Sequence, residues 1–315
     1  MDRKSREVSV IVPVYNSQES LASLVARLKG VLESCNNAFE VILINDDSLD
    51  DSWHVICGLI DTYDFVKGFN LMRNYGQHNA LLVGIRAARY DIIVTIDDDL
   101  QHPPEEIPRL LETLDEGYDV VYGRPQAEQH GLWRNLASQV TKMVFRSVMD
   151  VKIARNVSAF RAFRTPLRDA FSDYRGCYPS IDVLLTWATK RFAVIVVKHM
   201  PRKQGTSNYT FVKLVIHALN MLTGFSTLPL RIASFLGFAF TFFGFCILVY
   251  VIGRYLMSGT PVAGFPFLAS IIAIFAGVQL FSLGIIGEYL ARMHLRLMDR
   301  PGYVIREKRE NVKDK

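Results

Sequence analysis

The strongest chemical signal in the chain is a run of three carboxylates behind a short apolar segment. Ile92–Ile96 leads directly into Asp97-Asp98-Asp99, and Gln101 stands two residues further on. Adjacent carboxylates repel one another, so such a run is costly unless it binds a cation or is well solvated. Carboxylate and amide oxygens are hard ligands that suit Mg²⁺ or Mn²⁺ bridging to a diphosphate. The pattern favours a divalent-metal site, with a solvated acidic loop as the alternative.

Two further polar clusters follow apolar segments nearer the N-terminus. Val8–Val12 is followed by Pro13-Val14-Tyr15-Asn16, and Phe39–Ile44 is followed by Asn45-Asp46-Asp47-Ser48. Short, continuously apolar runs are typical of parallel strands that are covered on both faces. Ligands of open α/β sheets bind at the carboxyl ends of the strands, so the three clusters are expected to line one cleft.

Strand-like runs alternate with helical patterns through about residues 7–200, which predicts an α/β doubly wound sheet. The predicted strands are Val8–Val12, Phe39–Ile44, Val66–Leu71, Ile92–Ile96 and Asp119–Tyr122. Asn16 is predicted to cap the first helix, with Glu19 as its capping-box partner. The chain has no GxGxxG after the first strand, no GxxxxGK[ST] and no GxSxG. A dinucleotide-binding dehydrogenase, a P-loop ATPase and a serine hydrolase are therefore poorly supported.

Composition limits the remaining classes of protein. Hydrophobic residues make up 50% of the 315 residues and charged residues 21%, so the chain is neither disordered nor fibrous. The formal net charge of +5 is too small to argue for nucleic acid as a partner. The four cysteines lie far apart without a CxxC pair. This spacing indicates reduced thiols in a protein that faces the cytosol, and neither a disulfide framework nor a zinc site.

Two uncharged apolar segments are long enough to cross a bilayer. They are Ile232–Gly253 and Phe265–Gly287, and the first would rise about 33 Å as a helix. A pair of buried core helices is the alternative, although core helices normally carry a polar stripe. Positive charges gather before the first segment and after the second, whereas only Arg254 lies between them. The positive-inside rule therefore predicts that both termini are cytoplasmic.

These patterns divide the chain into four parts. Residues 1–209 are predicted as a cytoplasmic catalytic domain, residues 231–290 as two transmembrane helices at about 232–253 and 265–287, and residues 291–315 as a basic cytoplasmic tail. Residues 210–230 form an apolar segment with interspersed Lys213 and His217. This segment is predicted as an interfacial amphipathic helix, and a plain connector helix is the alternative.

Four motifs in order make the chain resemble the family 2 glycosyltransferases of GT-A fold, a Rossmann-like fold with a mostly parallel sheet. They are Pro13-Val14-Tyr15-Asn16, Asn45-Asp46-Asp47-Ser48, Arg73-Asn74-Tyr75-Gly76-Gln77-His78 and Asp97-Asp98-Asp99-Leu100-Gln101. The chain is most similar to the polyprenyl-phosphate branch, which includes dolichol-phosphate mannose synthase and undecaprenyl-phosphate 4-deoxy-4-formamido-L-arabinose transferase. The similarity to the latter lies in Leu71–His78 and Asp99–Tyr118, and Gly287-Glu288-Tyr289 also resembles the branch. The resemblance covers nearly the whole chain.

The resemblance implies a nucleotide-sugar site on the first motifs. Pro13 and Tyr15 would pack against the nucleoside base, and Asp46 would accept a hydrogen bond from it. Asn16 and Asp98 are assigned to the same nucleotide-sugar site.

The resemblance also implies a metal and an acceptor phosphate. A divalent ion, Mg²⁺ or Mn²⁺, would be held against the diphosphate by Asp97, Asp99 and Gln101. Arg124 and Arg134 match arginines that the family uses around the acceptor phosphate, and Arg202 matches a basic loop that closes over the site. Guanidinium suits these positions because it pairs bidentately with phosphate and keeps its charge. The alternative for each arginine is a solvated surface residue. The predicted catalytic residues are Asp97, Asp99, Arg124 and Arg134.

Three positions depart from the family pattern. Ser17 stands where a Glu is usual, Asn208 stands where the closing loop commonly has Lys, and an acidic residue is missing before Phe160-Arg161. These departures concern the choice of donor base and sugar and leave the fold prediction unchanged.

The resulting hypothesis is metal-dependent, inverting transfer of a sugar from a nucleotide-sugar to undecaprenyl phosphate or another polyprenyl phosphate. UDP is the expected carrier, and the expected place is the cytoplasmic face of a bacterial inner membrane, where the product would serve cell-envelope glycan or lipid modification. Members of the branch often self-associate, so a homo-oligomer is left open, and the sequence does not give the oligomeric state. One alternative is a polysaccharide synthase-like transferase, although the chain lacks a QxxRW motif. The other is a catalytically impaired, membrane-anchored scaffold that binds nucleotide-sugars, which Ser17 and Asn208 keep open.

Overall fold

The chain divides into two units, and the second is inserted into the sequence of the first. One contains residues 1–215 together with 300–315, and the other contains residues 216–299. The structure is a computed structural model that describes residues 6–35, 38–125, 156–176, 179–198, 200, 223, 227–258, 264–299 and 301–311.

Four strands and three helices alternate through the first part of the larger unit. In chain order they are β1 (Glu7–Val14), α1 (Leu21–Ser34), β2 (Ala38–Asn45), α2 (Ser52–Thr62), β3 (Val66–Leu71), α3 (Gln77–Ala87) and β4 (Ile92–Thr95). Strand β1 pairs in parallel with β2 on one side and with β4 on the other, and β3 continues the parallel sheet beyond β2. The predicted alternation and the parallel sheet are confirmed.

The remaining strands extend the sheet at both edges. They come with two further helices, and the order is α4 (Ile107–Asp115), β5 (Val120–Pro125), β6 (Arg161–Arg164), α5 (Ile181–Ala188), β7 (Phe192–Val197) and β8 (Ile305–Glu310). Across the described residues the sheet order is β7-β5-β6-β4-β1-β2-β3-β8. Strand β6 runs antiparallel to both of its neighbours, and β8 runs antiparallel to β3.

Both faces of the central strands are buried, which explains their largely apolar sequences. Every residue of β1 from Val8 to Val14 is buried, and α1 covers the sheet with a stripe of apolar side chains at helical spacing. The buried residues of that stripe are Leu21, Leu24, Val25, Leu28 and Leu32. Each fully buried side chain of this kind contributes about 1.5–3 kcal/mol to stability.

The prediction that Asn16 caps the first helix is wrong. Helix α1 begins at Leu21, after Ser20 at the N-cap. Asn16 instead has a left-handed backbone with φ of 54°, and its side-chain oxygen accepts a hydrogen bond from the Leu49 backbone N–H at 2.8 Å. The amide side chain therefore ties the loop after β1 to the loop after β2.

The smaller unit consists of two long apolar helices, α6 (Leu228–Ser258) and α7 (Phe265–Leu297). Each is long and apolar enough to cross a membrane, and the apolar stretches are Leu228–Arg254 and Ile274–Leu295. The most apolar part of each stretch is not buried by protein. The second of these stretches begins later than the predicted span of 265–287. A core helix would be mostly covered by protein, so the exposed faces disfavour the buried-core alternative. Most of the predicted interfacial segment, 210–230, lies outside the described residues, and Leu228–Leu230 already belongs to α6.

Part of the segment predicted as a basic tail is a strand of the catalytic sheet. Ile305–Glu310 pairs along β3, and all six side chains are exposed. Its charged sequence is typical of an edge strand, because charges on an edge discourage pairing with other chains. A search for apolar runs therefore misses it.

Candidate active site

Three loops meet at one edge of the sheet because the strands that precede them are parallel neighbours. Val14 lies opposite Asn45 in the β1–β2 register, and Ile11 lies opposite Thr95 in the β1–β4 register. The loops that follow β1, β2 and β4 carry the three predicted polar clusters. The structure thus brings these clusters together, as the sequence predicts.

Each of the three loops contains a residue with a left-handed backbone. The φ angles are 54° for Asn16, 56° for Asp47 and 60° for Leu100. Asn and Asp adopt this conformation readily, whereas a bulky residue such as Leu does so rarely. Holding a residue there costs on the order of 1–3 kcal/mol and is common at functional sites. Leu100 lies between Asp99 and Gln101, so the strain falls inside the predicted metal loop.

Asp98 joins the loop after β4 to the loop after β1. Its Oδ2 accepts hydrogen bonds from the Ser17 hydroxyl at 2.5 Å and from the Tyr15 backbone N–H at 3.1 Å. Burial raises the pKa of Asp98 to about 6, the charge of Asp99 adds to the rise, and the two hydrogen bonds oppose it. Asp98, predicted to bind the nucleotide-sugar, therefore holds two loops of the protein together. Ser17, the departure from the family pattern, is its partner.

Asp97 and Asp99 lie on either side of Asp98 and accept hydrogen bonds of their own. Asp97 Oδ1 accepts a hydrogen bond from the Gln77 side-chain amide at 2.7 Å, and Asp99 Oδ1 accepts one from the Gln101 backbone N–H at 3.0 Å. The backbone carbonyl of Gln101 accepts a hydrogen bond from Met200 N–H at 2.9 Å. Asp97, Asp99 and Gln101 are all partly exposed. The three predicted metal ligands thus lie in one loop within reach of solvent.

The donor atoms of this loop fit a hard divalent cation that is shared with a substrate. Among the described residues, no group of three or more His, Cys, Asp or Glu side chains is arranged to hold a metal ion. Mg²⁺ is commonly bound by one or two carboxylates, with substrate phosphates and waters completing its coordination. Asp97 and Asp99 can supply two carboxylates, which is compatible with that mode.

Asp46 is committed to the protein backbone. It is 3% exposed, and its two oxygens accept hydrogen bonds from the backbone N–H groups of Tyr75 at 2.7 Å and Gly76 at 2.8 Å. Burial raises the pKa of Asp46 above its usual value, and the two hydrogen bonds partly offset the rise. Each oxygen keeps a second lone pair, so the hydrogen bond to a nucleoside base stays a prediction.

The loop between β3 and α3 links the two acidic clusters, and sequence reasoning gave it no role. Asp46 holds Tyr75 and Gly76 at its centre, and Gln77 at its end contacts Asp97. Gly76 has φ of 88°, which a side chain would strain. The motif Arg73–His78 was visible in the sequence, but only the structure shows what its residues touch.

The other predicted donor residues differ in exposure. Pro13 is buried at the end of β1, whereas the Tyr15 side chain is 41% exposed beside it. The backbone N–H of Asn16 donates to the Ser48 hydroxyl at 3.0 Å. Tyr15 is thus the aromatic face that this edge of the sheet offers to a ligand.

Only one of the three predicted phosphate-binding arginines can be located. Arg124 is exposed near the end of β5, and its Nη1 donates to the Asn156 side-chain oxygen at 3.0 Å. Arg134 and Arg202 lie outside the described residues. An exposed guanidinium with a neutral partner keeps its charge available to an anion.

A buried ion pair contacts the end of β4, where the loop with Asp97 starts, and the sequence did not predict it. Arg161 on β6 pairs with Asp182 on α5, and both are buried. Arg161 Nε also donates to the Thr95 hydroxyl at 3.1 Å, and Tyr122 donates to Asp182 at 3.1 Å. Burial raises the pKa of Tyr122 well above its usual value, and Asp182 adds to the rise. Thr95 ends β4 two residues before Asp97, so the network fixes the base of that loop.

Residues 9–174 match the protein family described as Glycosyl transferase family 2. The chain belongs to this family. A relative from Salmonella paratyphi A, named undecaprenyl-phosphate 4-deoxy-4-formamido-L-arabinose transferase, is 34% identical over 305 residues, which are 96% of this chain and 93% of the relative.

Solved structures of similar fold include two synthases. Mannosyl-3-phosphoglycerate synthase from Rubrobacter xylanophilus has a TM-score of 0.53 and 15% identity, covering 68% of this chain and 72% of its own. Glucosyl-3-phosphoglycerate synthase from Mycobacterium tuberculosis, solved with Mn²⁺, UDP and glucosyl-3-phosphoglycerate, has a TM-score of 0.52 and 16% identity, covering 69% and 78%. At such identity the likeness concerns the fold alone. This family 2 glycosyltransferase therefore has a GT-A catalytic fold accompanied by two apolar helices, as predicted.

Proposed function

We propose that this glycosyltransferase moves one sugar from a nucleotide-sugar, with UDP as the carrier, to the phosphate of a membrane polyprenol. The observation that carries the proposal is the meeting of Tyr15, Asp97 and Asp99 at one sheet edge in a chain that also has two apolar helices of membrane-crossing length. The Salmonella relative is named as an undecaprenyl-phosphate transferase, and this name supports a lipid phosphate as the acceptor.

The donor half of the reaction rests on the two partly exposed carboxylates Asp97 and Asp99 in the loop after β4. Asp97 and Asp99, with Gln101, would hold Mg²⁺ or Mn²⁺, which when bound neutralises charge on a departing diphosphate. Asp46 and Asp98 would act indirectly. Asp46 fixes the loop after β3, and Asp98 joins the loop after β4 to the loop after β1. Tyr15, which is exposed beside the buried Pro13, offers the surface on which the base would pack.

The acceptor half needs positioning more than proton transfer. A phosphate monoester has a second pKa of about 6, so it is largely dianionic at neutral pH and can attack without a strong general base. Arg124, Arg134 and Arg202 would orient this dianion through charge-assisted hydrogen bonds. Attack from the face opposite the departing nucleotide inverts the anomeric carbon.

The membrane half of the proposal is a helical hairpin with both chain ends in the cytoplasm of a bacterial cell, next to the inner membrane. The supporting observation is the distribution of cations, since Arg231 and the basic C-terminal residues flank the helices while only Arg254 lies between them. A cysteine placed at Ser258 should react with an impermeant thiol reagent added outside spheroplasts, and one placed at Lys313 should not. The reverse labelling would overturn the orientation.

A donor panel tests the proposed reaction. Full-length protein in detergent is given undecaprenyl phosphate, Mn²⁺ and one radiolabelled nucleotide-sugar at a time, and label is counted in the lipid phase. One or more UDP-sugars should transfer label. Absence of transfer from every donor, combined with retained binding of UDP, would favour the scaffold alternative.

The role of Arg124 has its own test in the same assay. Replacing Arg124 with Ala should lower kcat/KM for undecaprenyl phosphate about ten- to a hundredfold and leave the donor KM nearly unchanged. Arg124→Lys should recover only part of the loss because it restores charge without the planar fork. A raised donor KM with unchanged acceptor kinetics would move Arg124 to the donor side.

A further inference from the structure

The chain that follows the second apolar helix returns to the catalytic sheet and contacts the loops of the active site. We call residues 301–311 the C-terminal strap. Its strand β8 pairs antiparallel along β3, from Lys67 opposite Glu310 to Leu71 opposite Ile305, with an irregularity at Asn70/Leu71. Bulges of this kind are common beside active sites, where they redirect the chain.

The strap binds both backbone groups of Met72, the residue directly after β3. The Met72 N–H donates to the Val304 carbonyl at 2.9 Å, and Arg306 Nη2 donates to the Met72 carbonyl at 2.9 Å. Met72 begins the loop whose Tyr75 and Gly76 are held by Asp46. The position of the strap therefore decides where that loop starts.

Arg306 also reaches the loop after β2. Its Nη2 lies 3.6 Å from Asp47 Oδ1, and Asp47 is the residue with the left-handed backbone next to Asp46. One guanidinium thus contacts two of the loops around the predicted donor site. Nη2 carries two N–H groups, so this one nitrogen can serve a carbonyl and a carboxylate at once.

Other contacts anchor the strap on either side of Arg306. Arg86 donates to the Tyr303 hydroxyl at 3.1 Å and lies over its ring, and the Asn311 side chain donates to Asp64 at 2.6 Å. Because these anchors and the β8 ladder are independent of Arg306, the strap is expected to stay in place when that side chain is removed.

We propose that Arg306 is a positioning residue for the donor site, acting through Met72 and Asp47. The inference rests on the proposed use of a UDP donor. It also gives the strap a function: the segment that emerges from the membrane helices completes the donor side of the catalytic domain. Since Arg306 is half exposed, its ion pair with Asp47 contributes little by itself. Its larger effect is geometric.

The test measures UDP binding directly in the full-length protein in detergent. Arg306→Ala should raise the Kd of UDP in the presence of Mn²⁺ about tenfold, from the loss of a charge-assisted hydrogen bond. The KM of undecaprenyl phosphate should stay unchanged. Arg306→Gln, which keeps an N–H donor for Met72, should recover part of the affinity. The matched control is Arg309→Ala, on the opposite face of the same strand beside Glu307, and it should bind UDP as the wild type does.

Four outcomes decide the inference. A rise in Kd for Arg306→Ala alone, with the unliganded melting temperature equal to that of Arg309→Ala, supports a positioning role. An equal rise in both variants overturns it, because the strap would then act only through general stability. Unchanged UDP binding in Arg306→Ala beside a binding wild type overturns this inference alone. A wild-type protein that binds no UDP overturns the donor assignment and the inference with it.

Discussion

The loop after β2 and the loop after β4 have the same kind of sequence and different physical roles. Both follow a buried parallel strand and both contain consecutive aspartates. Asp46 in the first loop is buried, and both of its oxygens accept backbone hydrogen bonds. Asp97 and Asp99 in the second are partly exposed, and hydrogen bonds fall on only one oxygen of Asp99 among the described residues. The number of carboxylates in the two loops therefore overstates the number that can act as metal ligands, because some carboxylate oxygens already accept hydrogen bonds from backbone N–H groups.

Asp98 shows that the role of a carboxylate is not decided by the loop in which it lies. It stands between Asp97 and Asp99, yet it serves the protein by joining Ser17 and Tyr15 to its own loop. Two classes of carboxylate result. Asp46 and Asp98 hold loops, and the proposed function assigns Asp97 and Asp99 to the ligand. Changes in the first class should alter stability, and changes in the second should alter only binding and catalysis.

The largest expected effect is on catalysis and comes from a ligand-facing carboxylate. Asp99→Ala should abolish sugar transfer, because it removes one of the few hard oxygen ligands available to a divalent ion. Its melting temperature should stay close to that of the wild type, since little of the fold depends on this side chain. Turnover like that of the wild type at saturating Mn²⁺ would contradict the assignment of Asp99.

The largest expected effect on stability comes from Asp182, the buried carboxylate that pairs with Arg161. Asp182→Asn should lower the free energy of unfolding by about 3–5 kcal/mol, because it leaves the buried guanidinium of Arg161 without a counter-charge. The matched control is Asp115→Asn, which breaks an exposed pair with Arg6 and should cost less than about 1 kcal/mol. Chemical denaturation measures both. Equal losses would mean that the buried pair does not support the base of the β4 loop.

Asp46→Asn should lower stability and donor affinity together. The amide would point an N–H₂ group at one of the two backbone donors, Tyr75 or Gly76, at an expected cost of about 1–3 kcal/mol. Displacement of that loop should also disturb Gln77 and its contact with Asp97. Asp47→Asn, at a partly exposed neighbouring position, is the control for stability. A stable Asp46→Asn protein with weakened UDP binding would place Asp46 among the ligand-facing carboxylates.

The smallest expected effect is a pH-dependent change in stability at Asp98. The pKa of Asp98 in the folded protein is raised to about 6, so protonation of this carboxyl favours folding. Its contribution to stability is fully present below pH 3.8, the ordinary value, and is lost as the pH rises through about 6. Without metal, Asp98→Asn should therefore be more stable than the wild type at pH 8, and the difference should shrink toward pH 4. A difference that grows as the pH falls would contradict the assigned direction.

The sequence predicted the elements of the sheet well because buried parallel strands contain short apolar runs, as in Val41–Ile44 and Ile92–Val94. It also predicted that the three polar clusters meet, since clusters at the ends of parallel strands must lie at one edge of the sheet. It did not predict β8, whose charged residues resemble a solvated tail.

Nor could it distinguish Asp46 from Asp97, because backbone hydrogen bonds to a carboxylate leave no mark on residue type. The pairing of Arg161 with Asp182, which brings β6 and α5 together, depends on tertiary packing that local patterns do not record.

The central claim is that Asp97 and Asp99 face the ligand while Asp46 and Asp98 hold the protein. Titration of Mn²⁺ followed by electron paramagnetic resonance, on full-length protein with saturating UDP, tests this most directly. The wild type and Asp98→Asn should each take up one tightly bound Mn²⁺ per chain, and Asp99→Ala should lose it. Retained binding in Asp99→Ala together with lost binding in Asp98→Asn would reverse the assignment of the two carboxylates and contradict the account.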